Sequence, residues 1–225
     1  MNGIKLVKYR LFGRLPGAVG RKYANKYNVR YAQQQFSQAV RNSTGKICID
    51  LGANMGDFTR LLASTAKKVY AFEPDPWTCA TLRENLNDLS NVEILEAAAG
   101  TNDGTVQLFR HPGFENDPRI NSQSSSIVAE KSNISHQNAQ EVKQIDVLRF
   151  MRELGEDISV LKIDIEGAEV DLLEALLDET ELLGRISNIF AETHETRIPS
   201  HEPRVVELRR RAYHIKKPKI NLYWE

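Results

Sequence analysis

Acidic residues are absent from the first 49 positions of this 225-residue chain. That stretch holds ten basic ones: Lys5, Lys8, Arg10, Arg14, Arg21, Lys22, Lys26, Arg30, Arg41 and Lys46. The formal net charge of zero therefore conceals about +10 in the first part facing about −10 in the rest. Such a split points to an anionic partner, a membrane surface, or two halves that dock on each other. Cysteine is scarce as well. Cys48 and Cys79 fall on different predicted elements, which excludes a disulfide framework, argues against a zinc site and suits a reducing cytoplasm. No window approaches the roughly 18 consecutive apolar residues of a membrane span. Length and ordinary composition favour one domain with a sizeable core.

What is present is organised around Lys46 to Asp57, KICIDLGANMGD. Ile47, Cys48 and Ile49 make a short apolar run, Asp50 follows, and Gly52-Ala53-Asn54-Met55-Gly56 forms a glycine turn. Phe58, Leu61 and Leu62 then recur at helical spacing. The pattern predicts a buried parallel strand turning into a helix. Glycine is needed there because a ligand or a second backbone approaches closer than a Cβ allows. The next predicted strand, 68–72, ends in Glu73, a carboxylate placed to accept two ribose hydroxyls.

The turn lacks the dinucleotide fingerprint G-x-G-x-x-G. Its spacing is G-x-x-x-G, with Asn54 at the second glycine and Asp57 where the third would fall. Asp50 beside the turn would repel a pyrophosphate, whereas the ammonium and sulfonium of S-adenosyl-L-methionine are drawn to an anion. The unit reads as a methyl-donor site rather than a nicotinamide site.

Along the chain, Ile4, Val7, Leu11 and Leu15 predict a basic amphipathic helix ending near Pro16-Gly17. Residues 1–44 are expected to form a helical extension and 45–225 the main domain. The extension either covers an edge of that domain or meets an anionic membrane surface or acceptor through residues 1–30. A helix is expected over 30–41, then helix 57–66, strand 68–72, helix 76–86 and strand 92–95. Small residues after that strand, Ala97-Ala98-Ala99-Gly100, leave room for a flat adenine ring. Residues 105–110 alternate like an added strand. Residues 111–126 are the most loop-like, a length that goes with a lid or a disordered segment. Strand 141–145 leads to helix 146–154, capped by Asp146 and stopped by Gly155.

Val160 to Glu169, VLKIDIEGAE, is the second informative stretch. Lys162 and Asp164 stand two apart on a strand and leave the same face. Val170, Leu172, Leu173, Leu176 and Leu177 follow at helical spacing. A further strand, 189–191, delivers Glu192, Thr193 and His194 in the same manner, so neighbouring strand ends would form a polar cup. A basic helix near 204–211 and a closing hairpin, 213–215 with 220–224, finish the sheet.

DLGANMGDFT, FEPDP, the Ala-Ala-Gly after the third strand, LKIDIEGAE and the E-x-H after the fifth closely resemble the FkbM family, S-adenosylmethionine-dependent methyltransferases of class I, over about residues 45–195. The resemblance implies an α/β, doubly wound, mostly parallel seven-stranded sheet of order 3-2-1-4-5-7-6 with helices on both faces. It implies O-methylation of a hydroxylated small molecule or glycan. It further implies cofactor contacts from Asp50, Gly52, Ala53, Asn54, Gly56, Phe58 and Thr59, from Glu73, Pro74 and Asp75, from Ala97 and Ala98, and from Asp164. Nucleic-acid methylation is the less favoured alternative, since no exocyclic-amine motif or RNA-binding module is present. A nicotinamide oxidoreductase and a non-catalytic cofactor binder are the others.

Methyl transfer is an in-line displacement at a sulfonium, and an alcohol needs a base nearby. The candidates are His194 and Asp164, with Lys162 and Glu192 completing the cup. An unperturbed His194 would titrate near pH 6.5. Lys162 is expected to pair with Asp164 or Glu192, because a lone buried ammonium is costly. Glu166 and Glu169 open a helix, where a structural role is expected for at least one. Asp164, Glu166, Glu192 and His194 are of the kind that bind a divalent ion, but nothing in the sequence requires one and no metal is expected.

Overall fold

A computed structural model describes residues 2–224, apart from the side chains of residues 2–4 and 138. Its elements begin with helices α1 (Asn2–Phe12) and α2 (Gly17–Arg41), followed by β1 (Ile47–Leu51), α3 (Asp57–Ala63), β2 (Lys68–Phe72), α4 (Pro76–Asn85) and β3 (Val92–Leu95). Then come β4 (Ala98–Gly100), β5 (Gly104–Phe109), α5 (Pro118–Asn121), β6 (Ala139–Asp146) and α6 (Val147–Leu154). The chain continues with β7 (Ile158–Ile163), α7 (Glu169–Asp178), α8 (Thr180–Gly184), β8 (Ile186–Ala191), α9 (Glu202–His214) and β9 (Lys219–Asn221).

Six strands form a parallel sheet in the order β3-β2-β1-β7-β8-β9. β1 and β7 lie at its centre and are buried along their whole length, which is why both read as near-continuous apolar runs. Alternation splits their side chains between two layers. Ile47, Ile49, Leu51, Leu161 and Ile163 meet the leucines of α7 and Val147 and Met151 of α6. Cys48, Val69, Val160 and Phe190 meet Ala32, Phe36 and Val40 of α2 and Leu62 of α3. Phe36 is the hub of this second layer, within 5.8 Å of the rings of Phe58, Phe190 and Trp224. The second half of α2 thus shares the sheet's core, across the boundary expected at residue 44. A separate sheet of order β4-β6-β5 packs Ala98, Leu108 and Val142 together and brings β4 and β5 beside the first sheet's C-terminal edge.

The α/β class, the helices on both faces and most element positions agree with the sequence reading. Asp146 caps α6 by accepting from Arg149 N at 3.0 Å, and Gly155 ends it in the left-handed conformation. The expectations for the sheet and for α2 need correction. Among the described residues the main sheet has six strands rather than seven, and its end is not a hairpin. Tyr213 and His214 complete α9, so β9 arrives by a helical crossover and pairs parallel to β8. The second correction is α2, which starts at Gly17 instead of near 30. Its first half carries tyrosines four apart instead of aliphatics, with Tyr27 and Tyr31 stacked at 5.7 Å.

Gly52 and Gly56 have φ of +78° and +97°. A Cβ on Gly52 would overlap the Asp164 carbonyl, and one on Gly56 would stand 2.7 Å from Leu82 Cδ1. Of the two reasons for glycine weighed above, the second backbone therefore applies at Gly52, and helix packing applies at Gly56. Gly52→Ala should thus act on the fold itself, costing at least about 2 kcal/mol through overpacking and positive φ. Denaturant unfolding of the variant checks this. A midpoint equal to wild type would show that β7 does not press on the turn.

Candidate active site

Strand order reverses direction between β1 and β7, with β2 and β3 on one side and β8 and β9 on the other. A cavity of about 420 Å³ opens at the C-terminal ends of these strands, inside the ~300–1,000 Å³ range of ligand pockets and at the place an open α/β sheet offers for one. Its wall includes Gly52, Ala53, Asn54, Gly56 and Phe58 from the β1 turn, and Glu73 and Pro74 from the end of β2. Ala98 comes from β4, Lys162 and Asp164 from β7, and Glu192 and His194 from the end of β8. These are the residues singled out from the sequence, brought together from five segments. Asp50, Thr59, Asp75 and Ala97 are not in the wall. Asp50 and Thr59 are fully buried behind the turn and bonded to each other at 2.6 Å. Asp75 caps α4 through Thr78 N and pairs with Arg110 at 2.6 Å. Ala97 is buried just ahead of β4.

Glu73 is almost wholly buried, and its two carboxylate oxygens accept the backbone N–H groups of Asn54 at 2.9 Å and Asp75 at 3.0 Å. It therefore braces the glycine turn, with lone pairs left over on the cavity side. Burial pushes its carboxyl up to about 8, against the pull of those two N–H groups. Asn54 sits at φ +48°, a conformation asparagine tolerates, which accounts for its standing in a glycine's place. Below the turn, Lys162 donates to Gly52 O at 2.8 Å and lies 3.1 Å from Asp50 and 3.6 Å from Asp164. Its ion pair with Asp50 was not among those expected.

His194 is surrounded by carboxylates. Nδ1 lies 3.0 Å from Glu169, whose buried side chain also accepts the backbone N–H groups of His194 and Gly167. Nε2 faces the cavity, 3.2 Å from Glu166, 3.7 Å from Glu192 and 3.9 Å from Asp164. Burial alone would lower the imidazole pKa, but the bond to Glu169 and the surrounding carboxylates outweigh it and raise the pKa to about 9. At neutral pH His194 is an imidazolium. One ligand atom each from Asp164, Glu192 and His194 lies within 4.8 Å of the others.

The 111–126 segment supplies the opposite rim through Ser122, Gln123, Ser124 and Ser125. Lys131, just beyond it, was missed by the sequence reading. Its ammonium is buried, donates to Ser124 O at 2.9 Å and forms an ion pair with Glu166. Glu166 itself is held at φ +56°, unusual for a non-glycine residue, and its carbonyl accepts from Ser126 Oγ at 2.6 Å. The rim is therefore tied to the β7–α7 turn by two bonds.

These residues fit S-adenosylmethionine. The carboxylates of Asp164, Glu166 and Glu192 suit a ligand bearing an ammonium and a sulfonium, and Lys131 and Lys162 are already ion-paired. Ala98, Ala99, Leu108 and Ile127 offer a slot for a flat ring. Ser125 Oγ and Asn133 Oδ1 are buried on the wall without a protein hydrogen-bond partner.

Comparison with known proteins agrees with this geometry. Residues 50–215 match the family described as the methyltransferase FkbM domain. Methyltransferase 1 of Beauveria bassiana is 30% identical over 146 residues, covering 58% of each chain. Methyltransferase sdnD of Sordaria araneosa is 30% identical over 179 residues, 65% of this chain and 66% of its own. The 2-O-methyltransferase NoeI of Sinorhizobium fredii is 28% identical over 138 residues, 56% of each. The matches thus span about three fifths of the length of these relatives.

The carboxylate shell has a consequence for stability. His194 holds its proton more tightly folded than unfolded, so that stabilisation is complete below its ordinary value of 6.5 and is lost as pH rises through about 9. Its full size is roughly 3 kcal/mol. Glu73 works in the same direction, since ionising a carboxyl raised from 4.5 to about 8 costs the fold more as pH climbs between those values. Urea unfolding should show lower stability at pH 9.5 than at pH 6. In His194→Gln the fall across pH 6.5–9 should flatten, and an unchanged slope would contradict the raised pKa.

Proposed function

The chain belongs to the FkbM methyltransferase family, and from that premise we propose that it transfers a methyl group from S-adenosylmethionine to a hydroxyl of a sugar, glycan or similar natural product. The observation that carries the reading is the convergence of Asp164, Glu192 and His194 on a cavity walled by the β1 glycine turn and Glu73. The donor supplies an electrophilic methyl on a sulfonium. The turn and Glu73 would hold its nucleoside end, with Ala98 and Ala99 against the adenine. Asp164 would face its charged end. The rim of Ser122, Gln123, Ser124 and Ser125 offers hydroxyls and amides suited to a polyhydroxylated acceptor. The relative named a 2-O-methyltransferase supports an oxygen acceptor. We place the reaction in the cytoplasm, a setting supported by two unpaired, buried cysteines.

In this reading His194 removes the acceptor's proton, oriented by Glu169 through Nδ1. The base form must be neutral, and the carboxylate shell holds the proton on it to about pH 9. Turnover should therefore keep rising from pH 7 towards about 9, instead of levelling above 6.5 as the bare sequence suggested. A second reading rests on the 4.8 Å cluster: a divalent cation on Asp164, Glu192 and His194 would lower the acceptor's pKa in place of a free base. Turnover that withstands chelation and ignores added Mg²⁺ rules that out.

The test is a methyl-transfer assay on a panel of glycosides and polyols, read as S-adenosylhomocysteine released. His194→Ala should bind the donor normally and lose about 10²–10⁴-fold in turnover. Ordinary turnover by that variant would remove His194 from the mechanism, and no donor binding by wild type would remove the function itself.

A further inference from the structure

Residues 2–31 fold as a helical hairpin that contributes almost nothing to the core. Among the residues of this segment whose burial is described, only Gly20 is buried. α1 lies back on α2 through Tyr9 and Phe12 against Tyr23, at 5.9 and 5.2 Å, with the Arg30 guanidinium 5.1 Å from the Tyr9 ring. These contacts use up the aromatic side of α1. Aliphatic side chains along the hairpin are left in solvent: Val7 and Leu11 on α1, Leu15 in the turn and Val19 at the start of α2 are 60%, 59%, 46% and 55% exposed. Isolated exposed aliphatics are ordinary, but four gathered on α1, the turn after it and the first turn of α2 are not.

Charge decides what covers this ridge. Residues 1–30 hold eight lysines and arginines and no acid, and among the described residues none of the eight is ion-paired. The acid-rich remainder of the chain therefore does not neutralise them. A second copy would bring the same positive charge to the interface, and nucleic acid would leave the aliphatic ridge without a partner. An anionic lipid surface satisfies both features, since basic side chains meet headgroups while aliphatics enter the acyl boundary. We propose that the α1–α2 hairpin docks the protein on anionic membranes through Val7, Leu11, Leu15 and Val19 and the surrounding basic residues. Docking there would give the enzyme access to acceptors carried at a lipid surface.

The test uses the full chain in sedimentation with vesicles of phosphatidylcholine alone and of phosphatidylcholine containing 30% phosphatidylglycerol. Binding should require the anionic lipid and weaken at least tenfold between 0.1 and 0.5 M salt. Val7→Asp/Leu11→Asp should reduce it at least tenfold with methyl-donor affinity unchanged, because both side chains are exposed and outside the cavity. Equal partitioning to neutral vesicles, no partitioning to either, or unchanged partitioning of the double variant overturns the proposal. So does retention on RNA or heparin without vesicle binding. None of these readouts needs turnover, so they fail or succeed independently of the proposed reaction.

Discussion

The ammonium of Lys162 sits at the junction on which the cavity depends. It is 1% exposed, where a lone cation would be strongly disfavoured, with the Phe58 ring 5.4 Å away giving some cation–π attraction. It persists because three partners reach it: Asp50 within β1, the Gly52 carbonyl at the turn, and Asp164 at the end of β7. Burial disfavours the charge, yet these carboxylates more than offset it and hold the pKa above its ordinary value. Breaking a buried pair of this kind typically costs 3–5 kcal/mol, because the remaining charge is stranded. The group is therefore a fixed pin between the two central strands. Gly52 pressed against the Asp164 carbonyl, and Asp164 N donating to Leu51 O at 3.0 Å, close the same joint from the backbone side.

From that joint the rest of the site follows. Fixing β7 against β1 sets where Asp164 emerges, and the parallel register of β8 on β7 sets Glu192 and His194 beside it. The same geometry crowds four carboxylates around one imidazole, which raises the His194 pKa to about 9. In the proposed reaction the same arrangement would both attract a sulfonium and hold the proton on the imidazole, so the two would oppose each other below about pH 9. The rim latch of Lys131 on Glu166 draws on the same pool of negative charge.

Much of this was legible in the sequence, because strand ends and glycine turns are local patterns. The 52–56 glycine turn, Glu73, Asp164, Glu192 and His194 all reach the cavity wall. Which way a polar residue points was less legible. Asp50 and Asp164 follow equally apolar runs, but one turns under the glycine loop and the other into the cavity. Lys131 escaped notice because its partner Glu166 is 35 residues away and neither stands in a periodic segment. The chain end misled for a different reason. Tyr213 and Ile215 alternate like a strand, yet Tyr213 is 85% exposed and simply finishes the last turn of α9.

The pin can be tested apart from the charge it neutralises. Lys162→Met alone would leave Asp50 buried without its cation, so Lys162→Met/Asp50→Asn is the informative protein, since it removes both partners of the pair and should fold. Calorimetric titration of S-adenosylmethionine into this variant and into wild type is the direct measurement. If Lys162 holds the turn and Asp164 in place, wild type binds the methyl donor and the folded double variant binds at least about tenfold more weakly, a loss of ~1.4 kcal/mol. Equal affinity in the two proteins would contradict the account.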